Sequence, residues 1–175
     1  MGTQKSSNLT CFLAAVSTLG SIGRKLPAPG TWGTGAALLL YAAWLHKINV
    51  HNGFSFALVV IALNILSVFI CAAGERHFGR KDPGEVIFDE FSAFPLAFLG
   101  VEQFVIPGTN PRYVFVWTLL AFVLFRFFDI VKPFGIKKLQ RIRGGVGIVI
   151  DDVAAALLTC ACLHILHALT TLLPK

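Results

Sequence analysis

Charge is what this chain has least of. Asp, Glu, Lys and Arg make up 14% of its 175 residues, against about 25% in soluble domains. That excludes an ordinary water-solvated globule, and with 55% hydrophobic residues and a mean hydropathy of +0.73 the composition is that of a membrane protein. Cysteine is scarce as well. Cys11, Cys71, Cys160 and Cys162 all sit in apolar stretches, and Cys160 and Cys162 point about 200° apart on a helix. No redox C-x-x-C pair exists, so the cysteines read as small buried hydrophobes. No module of interleaved basic and aromatic residues is present, so the net charge of +6 is not read as a nucleic-acid footprint.

What the chain does have is long uncharged runs. A spanning helix needs about 20 mostly apolar residues. Gly53–Gly74 and Val153–Pro174 contain no charge. Leu26–Leu45 is uncharged but opens Pro- and Gly-rich. Tyr113–Phe125 is uncharged and continues to Val131 through Arg126 and Asp129, and Phe91–Ile106 is the shortest and contains Glu102. Leu9–Ile22 is apolar and dotted with Ser and Thr. With no small-x-small cleavage site evident, it reads as an interfacial or re-entrant helix rather than a signal peptide. The expected fold is therefore all-α and polytopic. It has about five membrane-embedded helical segments plus an N-terminal interfacial helix, in a single domain over residues 1–175.

Five spans put successive loops on alternate sides. One side collects Lys5, Arg24, Lys25, Arg76, Arg80, Lys81, Lys132, Lys137, Lys138, Arg141 and Arg143; the other has Lys47, Arg112 and Lys175. The positive-inside rule makes the first side cytoplasmic. Of the nine acids, Glu75, Asp82, Glu85, Asp89, Glu90, Asp151 and Asp152 share that side, Asp129 lies in a span near it, and only Glu102 lies toward the other. Carboxylates contribute little to topology, so their gathering beside cations needs a chemical reason.

Three elements on this face supply candidates. Leu26-Pro-Ala-Pro-Gly-Thr-Trp-Gly-Thr-Gly35, after Arg24-Lys25, is a stiff turn before a helix or an anion-binding one; Arg24 and Thr31 are its candidate phosphate contacts. In the loop from Gly74 to Glu90, Asp89-Glu90 suits the positive end of a helix dipole. It equally suits a divalent cation, which takes oxygen ligands and often only one or two carboxylates; Asp82 and Glu85 are solvated charges or further ligands. In the third, Arg126, Asp129 and Lys132 step by three along one helix face, and charge inside a span is costly and usually functional. Asp151 and Asp152 stand about 100° apart on a helix, so one of them is expected to face Asp129 unless both reach one metal. Gly144, Gly145 and Gly147 let the backbone approach something closely.

Acids, cations and a lipid interface suit phosphate monoester hydrolysis, which requires charge neutralisation and an in-line nucleophile. A thiol nucleophile is set aside: four residues, not five, separate Cys71 from Arg76. No Asp-x-Asp stands near the N-terminus, and His164 and His167 read as polar packing. Water and a carboxylate remain as alternative nucleophiles.

Leu26-Pro-Ala-Pro-Gly-Thr-Trp-Gly33, Asp82-Pro-Gly-Glu-Val-Ile-Phe-Asp-Glu90, Phe125-Arg-Phe-Phe-Asp-Ile-Val-Lys-Pro133 and Gly144-Gly-Val-Gly-Ile-Val-Ile-Asp-Asp-Val-Ala155 resemble, in order and spacing, the successive signatures of the phosphatidylglycerophosphatase A family. The resemblance covers about residues 20–160. It implies Mg²⁺-dependent removal of the terminal phosphate of phosphatidylglycerophosphate, giving phosphatidylglycerol, in the bacterial inner membrane with the site facing the cytoplasm. Carried over, it implies an acidic, metal-binding centre of Asp82, Asp89, Glu90, Asp129, Asp151 and Asp152, with Arg126, Lys132 and Arg141 facing phosphate. Ser92-Ala93, Gly135, Gln140 and Val149 depart from the family pattern; Gln140 removes a possible ligand, and none removes the core carboxylates. The implied partners are an anionic phospholipid and the membrane. Another lipid phosphate phosphatase, a non-catalytic scaffold and a small membrane transporter are the rival readings.

Overall fold

The computed structural model describes residues 8–101, 110–142 and 144–172. Among these the structure is all helical. Three helices are long and apolar enough to cross a membrane: α5 (Gly53–Phe78), α7 (Pro111–Val131) and α8 (Gly145–Leu172). Their 26, 21 and 28 residues give about 39, 32 and 42 Å at ~1.5 Å per residue, against a hydrocarbon thickness of ~30 Å. Their outer faces carry Phe54 and Phe69 on α5 and Phe115 and Ile130 on α7, all strongly exposed. Water penalises such faces, whereas hydrocarbon accommodates them.

Of the other two expected segments, one is a helix interrupted by a π-helical stretch and the other is short. From Leu26–Leu45 the chain builds α3 (Pro29–Leu40), which passes through a π-helical stretch, Tyr41–Leu45, into α4 (His46–His51). Pro29 sits at the first helical position, where its missing N–H costs nothing. The π-helical stretch stacks Tyr41 on Phe98, with ring centroids 4.0 Å apart. From Phe91–Ile106 the described part is α6 (Phe88–Ala93) followed by a 3₁₀ turn, Phe94–Phe98. Pro95 cannot donate to a continuing α-helix, and Gly100 turns the chain at φ +72°. The element is too short to span, and it is buried inside the bundle. Glu102 lies outside the described residues.

The expected N-terminal helix is α1 (Asn8–Ser17), ended by Leu19 and Gly20 at positive φ and followed by the short α2 (Ile22–Lys25). Leu9 and Phe12 stay exposed, while Ser17 turns inward and its carbonyl accepts from the Ile87 N–H at 2.9 Å. α1 is thus tied to the strand of chain that leads into α6. The main core joins Ala37, Phe56, Val60, Phe94, Phe125 and Leu163 from α3, α5, the 3₁₀ turn, α7 and α8. α6 is held against this core at the end of the bundle where α5 and α7 finish and α8 begins, which is where the charges collect.

Candidate active site

α7 supplies the cations. Arg126 and Asp129 lie in its last turns, and Lys132 caps it in the left-handed region at φ 47°. Spacing by three keeps them in one row, and the row bridges three helices. Arg126 Nη1 lies 2.7 Å from Asp129 Oδ2 and 3.6 Å from Glu90 Oε1 on α6. Lys132 Nζ is 3.7 Å from Asp129 Oδ1 and forms a close ion pair with Asp151 Oδ2 on α8.

Asp151 and Asp152 are both buried, 2% and 3% exposed, although their side chains diverge. Helix spacing alone turns one inward unless both reach one metal, yet each has a partner of its own. Asp151 turns to Lys132, while Asp152 meets Asp89 and Glu90, with one carboxylate oxygen from each residue within 4.8 Å of the others. α8 is enclosed on two sides here, so a 100° divergence still leaves both acids inside.

Four buried carboxylates (Asp89, Asp129, Asp151, Asp152) and the part-buried Glu90 therefore crowd two cations, Arg126 and Lys132. Burial, reinforced by the charges of Glu90 and Asp152, pushes the Asp89 carboxyl well above its usual range. Burial also pushes Glu90 up to about 7, with Asp129 adding to the rise while the Asp89 hydrogen bond and Arg126 oppose it. Carboxylates outnumber cations in the cluster, and several of their oxygens lack a hydrogen-bond donor. Asp89 Oδ1, Glu90 Oε2 and Asp151 Oδ1 are buried with no donor. The donor set is all carboxylate oxygen, which matches a hard divalent ion such as Mg²⁺. On the other side of the cluster, Arg126 Nε and Nη1 are buried without an aligned acceptor. The Arg126–Asp129 contact is thus a close ion pair rather than a directed hydrogen bond, and the guanidinium keeps N–H groups for an anion.

Two glycines of α3 make room for this arrangement. A Cβ at Gly30 would overlap Glu90 Oε1 and come within 3.0 Å of both Arg126 terminal nitrogens, and one at Gly33 would meet the Ile87 carbonyl at 2.8 Å. The Gly30–Gly33 stretch thus serves as the wall of the acid cluster. At the candidate anion turn, Thr31 is exposed and its N–H donates to the Ala28 carbonyl, while Thr34 Oγ1 donates to the Gly30 carbonyl. Gly145 and Gly147 likewise admit protein backbone, since a Cβ at either would overlap the Val68 or the Ile142 carbonyl.

The structure brings together Asp89, Glu90, Arg126, Asp129, Lys132, Asp151 and Asp152. Arg24, whose guanidinium donates to the Gly20 carbonyl, is exposed, as are Thr31 and Asp82; Asp82 contributes to the field at Asp151. The side chain of Arg141 lies outside the described residues. Asn64 escaped the sequence reading. Buried in α5, its Nδ2 donates to the Val60 and Ser92 carbonyls, both at 2.8 Å, and Ser92 Oγ donates to the Asp89 carbonyl at 3.0 Å. This chain of hydrogen bonds fixes α6 against α5. A signal for it lies in the sequence: Asn64, Ser67 and Cys71 form a polar stripe within the uncharged run Gly53–Gly74.

Comparison with known proteins shows the family of the chain. The family model described as phosphatidylglycerophosphatase A matches residues 15–167, which contain the whole cluster. A Haemophilus influenzae protein named phosphatidylglycerophosphatase A is 36% identical over 132 residues, 75% of this chain and 74% of its own. A Bacteroides thetaiotaomicron protein named putative phosphatidylinositol-3-phosphatase is 37% identical over 132 residues, covering 73% and 76%. An Escherichia coli phosphatidylglycerophosphatase A is 28% identical over 142 residues, covering 78% and 72%. No solved structure matches the chain. The chain belongs to the phosphatidylglycerophosphatase A family and is an enzyme of the phosphatase class.

Proposed function

We propose that this protein hydrolyses the terminal phosphate monoester of phosphatidylglycerophosphate to leave phosphatidylglycerol, with Mg²⁺ as cofactor, at the cytoplasmic face of a bacterial inner membrane. The observation that supports it most is the meeting of Asp89, Glu90 and Asp152 beside an Arg126 with undirected N–H groups. Asp89, Glu90 and Asp152 would hold the ion, with Asp129 and Asp151 next to them. Bound there, Mg²⁺ would neutralise phosphoryl charge and lower the pKa of bound water. Arg126 orients phosphate oxygens through its free N–H groups, and Asp129 holds the guanidinium in place. Lys132 brings a second positive charge to the phosphate, anchored by Asp151. The basic residues of the same face draw anionic head groups, at about 1 kcal/mol each.

The test is phosphate release by purified protein from phosphatidylglycerophosphate, with Mg²⁺ or with EDTA. Release that EDTA stops and Mg²⁺ restores is expected. Undiminished release in EDTA removes the metal, and no release with Mg²⁺ removes the activity. The name of the Bacteroides relative favours a second reading, a phosphomonoester on an inositol head group. Offering phosphatidylinositol 3-phosphate in the same assay decides between the two, and faster release from it reverses the head-group assignment.

A further inference from the structure

An apolar groove of about 440 Å³ runs between α5 and α8. We propose that it seats one acyl chain of the phospholipid whose phosphate is bound at the acid cluster, so that the enzyme selects a membrane-anchored substrate; this rests on the lipid phosphatase reading above. The helices touch where Gly145 meets the Val68 carbonyl. Beyond that contact the groove is lined by Ile61 and Ile65 of α5, Val153 and Leu157 of α8, and Leu96 and Leu99 from the 3₁₀ turn and its end.

Three observations specify the occupant. The groove is continuous with the site: Val149, Ile150 and Val153 line it while Asp151 and Asp152, between them in sequence, enter the acid cluster. Its chemistry is hydrocarbon, because the polar residue on its wall, Asn64, spends its amide on the Val60 and Ser92 carbonyls. Its size also decides. Val146 to Leu157 covers about 16 Å at ~1.5 Å per residue, half the ~30 Å hydrocarbon thickness. That is the depth of one leaflet and so the reach of one lipid chain, whereas a partner helix crossing the membrane would need twice the length. The volume lies within the ~300–1,000 Å³ of small-ligand sites, and a helix ~10–12 Å across would rest on the groove rather than in it.

The test places the full chain in phosphatidylcholine vesicles with two photoreactive lipids. Both have the same mid-chain diazirine; one has a phosphatidylglycerophosphate head and the other a choline head. The phosphate-headed probe is expected to label residues 61–65 and 153–157 in excess over the choline probe, while residues near Leu119, outside the groove, take both equally. Equal groove labelling by the two probes, or a phosphate-headed probe that misses the groove, overturns the proposal. Preferential groove labelling without phosphate release keeps the seat and removes the activity reading; release with evenly spread labelling does the reverse. A kinetic arm compares kcat/KM for long-chain and dihexanoyl substrates. Leu157→Trp fills the groove at a half-exposed position and is expected to lower the long-to-short ratio about tenfold by displacing the chain. Leu119→Trp, on the outer face of α7, is expected to keep the wild-type ratio. A wild-type ratio in Leu157→Trp overturns the proposal.

Discussion

Adding one methyl group at Gly30 separates the architecture of the site from the stability of the fold. Gly30 is the second residue of α3, and Ala there is a better helix former than Gly by up to about 1 kcal/mol. Folding therefore has little to lose. The new Cβ would overlap Glu90 Oε1 and crowd both terminal nitrogens of Arg126, at 2.9 and 3.0 Å. These are ends of flexible side chains, so they yield rather than break the helix. Clearing ordinary contact distance moves them by about 1 Å, a misplacement that can cost ~10²-fold in rate, or ~2.7 kcal/mol at ~1.36 kcal/mol per tenfold. Gly35 provides the control, because a Cβ there meets nothing within 4 Å. Gly30→Ala is expected to keep thermal stability and lose about a hundredfold in kcat/KM for phosphate release, while Gly35→Ala keeps both. Wild-type turnover in Gly30→Ala would refute the packing of α3 onto Glu90 and Arg126.

Asp89→Asn and Asp129→Asn are each expected to abolish phosphate release while membrane insertion persists; normal activity in both would remove the site assignment. Lys132→Gly suits the left-handed backbone at φ 47° but strands the buried Asp151, so unfolding should become easier by about 3 kcal/mol. The double variant Lys132→Gly/Asp151→Asn should regain much of that stability and no activity, as thermal unfolding and phosphate release would show. Gly145→Ala forces a methyl into the Val68 carbonyl and is expected to cost about 1–3 kcal/mol by overpacking, visible as a lowered unfolding temperature; an unchanged value would refute the close α5–α8 contact.

The sequence exposed the features set by spacing within one element. Arg126, Asp129 and Lys132 lie in a row because three residues make almost one helical turn, and their position at the end of an apolar run marked the boundary. It was less informative wherever the outcome depended on which element packs opposite. Asp151 and Asp152 diverge on their helix, yet both are buried because α7 closes one side of α8 and α6 the other. In isolation Gly30 and Gly33 read as turn glycines and Gly145 as a close-approach glycine, but their neighbours prove to be Glu90, Ile87 and Val68. Apolar composition alone made Phe91–Ile106 a span, whereas Pro95 breaks the α-helix and the described part packs inside the bundle. Asn64 acquires meaning only once Ser92 stands beside it.

Direct metal titration tests the centre of this account without substrate or turnover. Mn²⁺, which shares the preference of Mg²⁺ for oxygen ligands, would be added to purified protein and the free ion followed by electron paramagnetic resonance. The cluster of Asp89, Glu90 and Asp152 predicts saturable binding that Mg²⁺ displaces and that Asp152→Asn greatly weakens. Absence of saturable binding, or identical binding by wild type and Asp152→Asn, would contradict it.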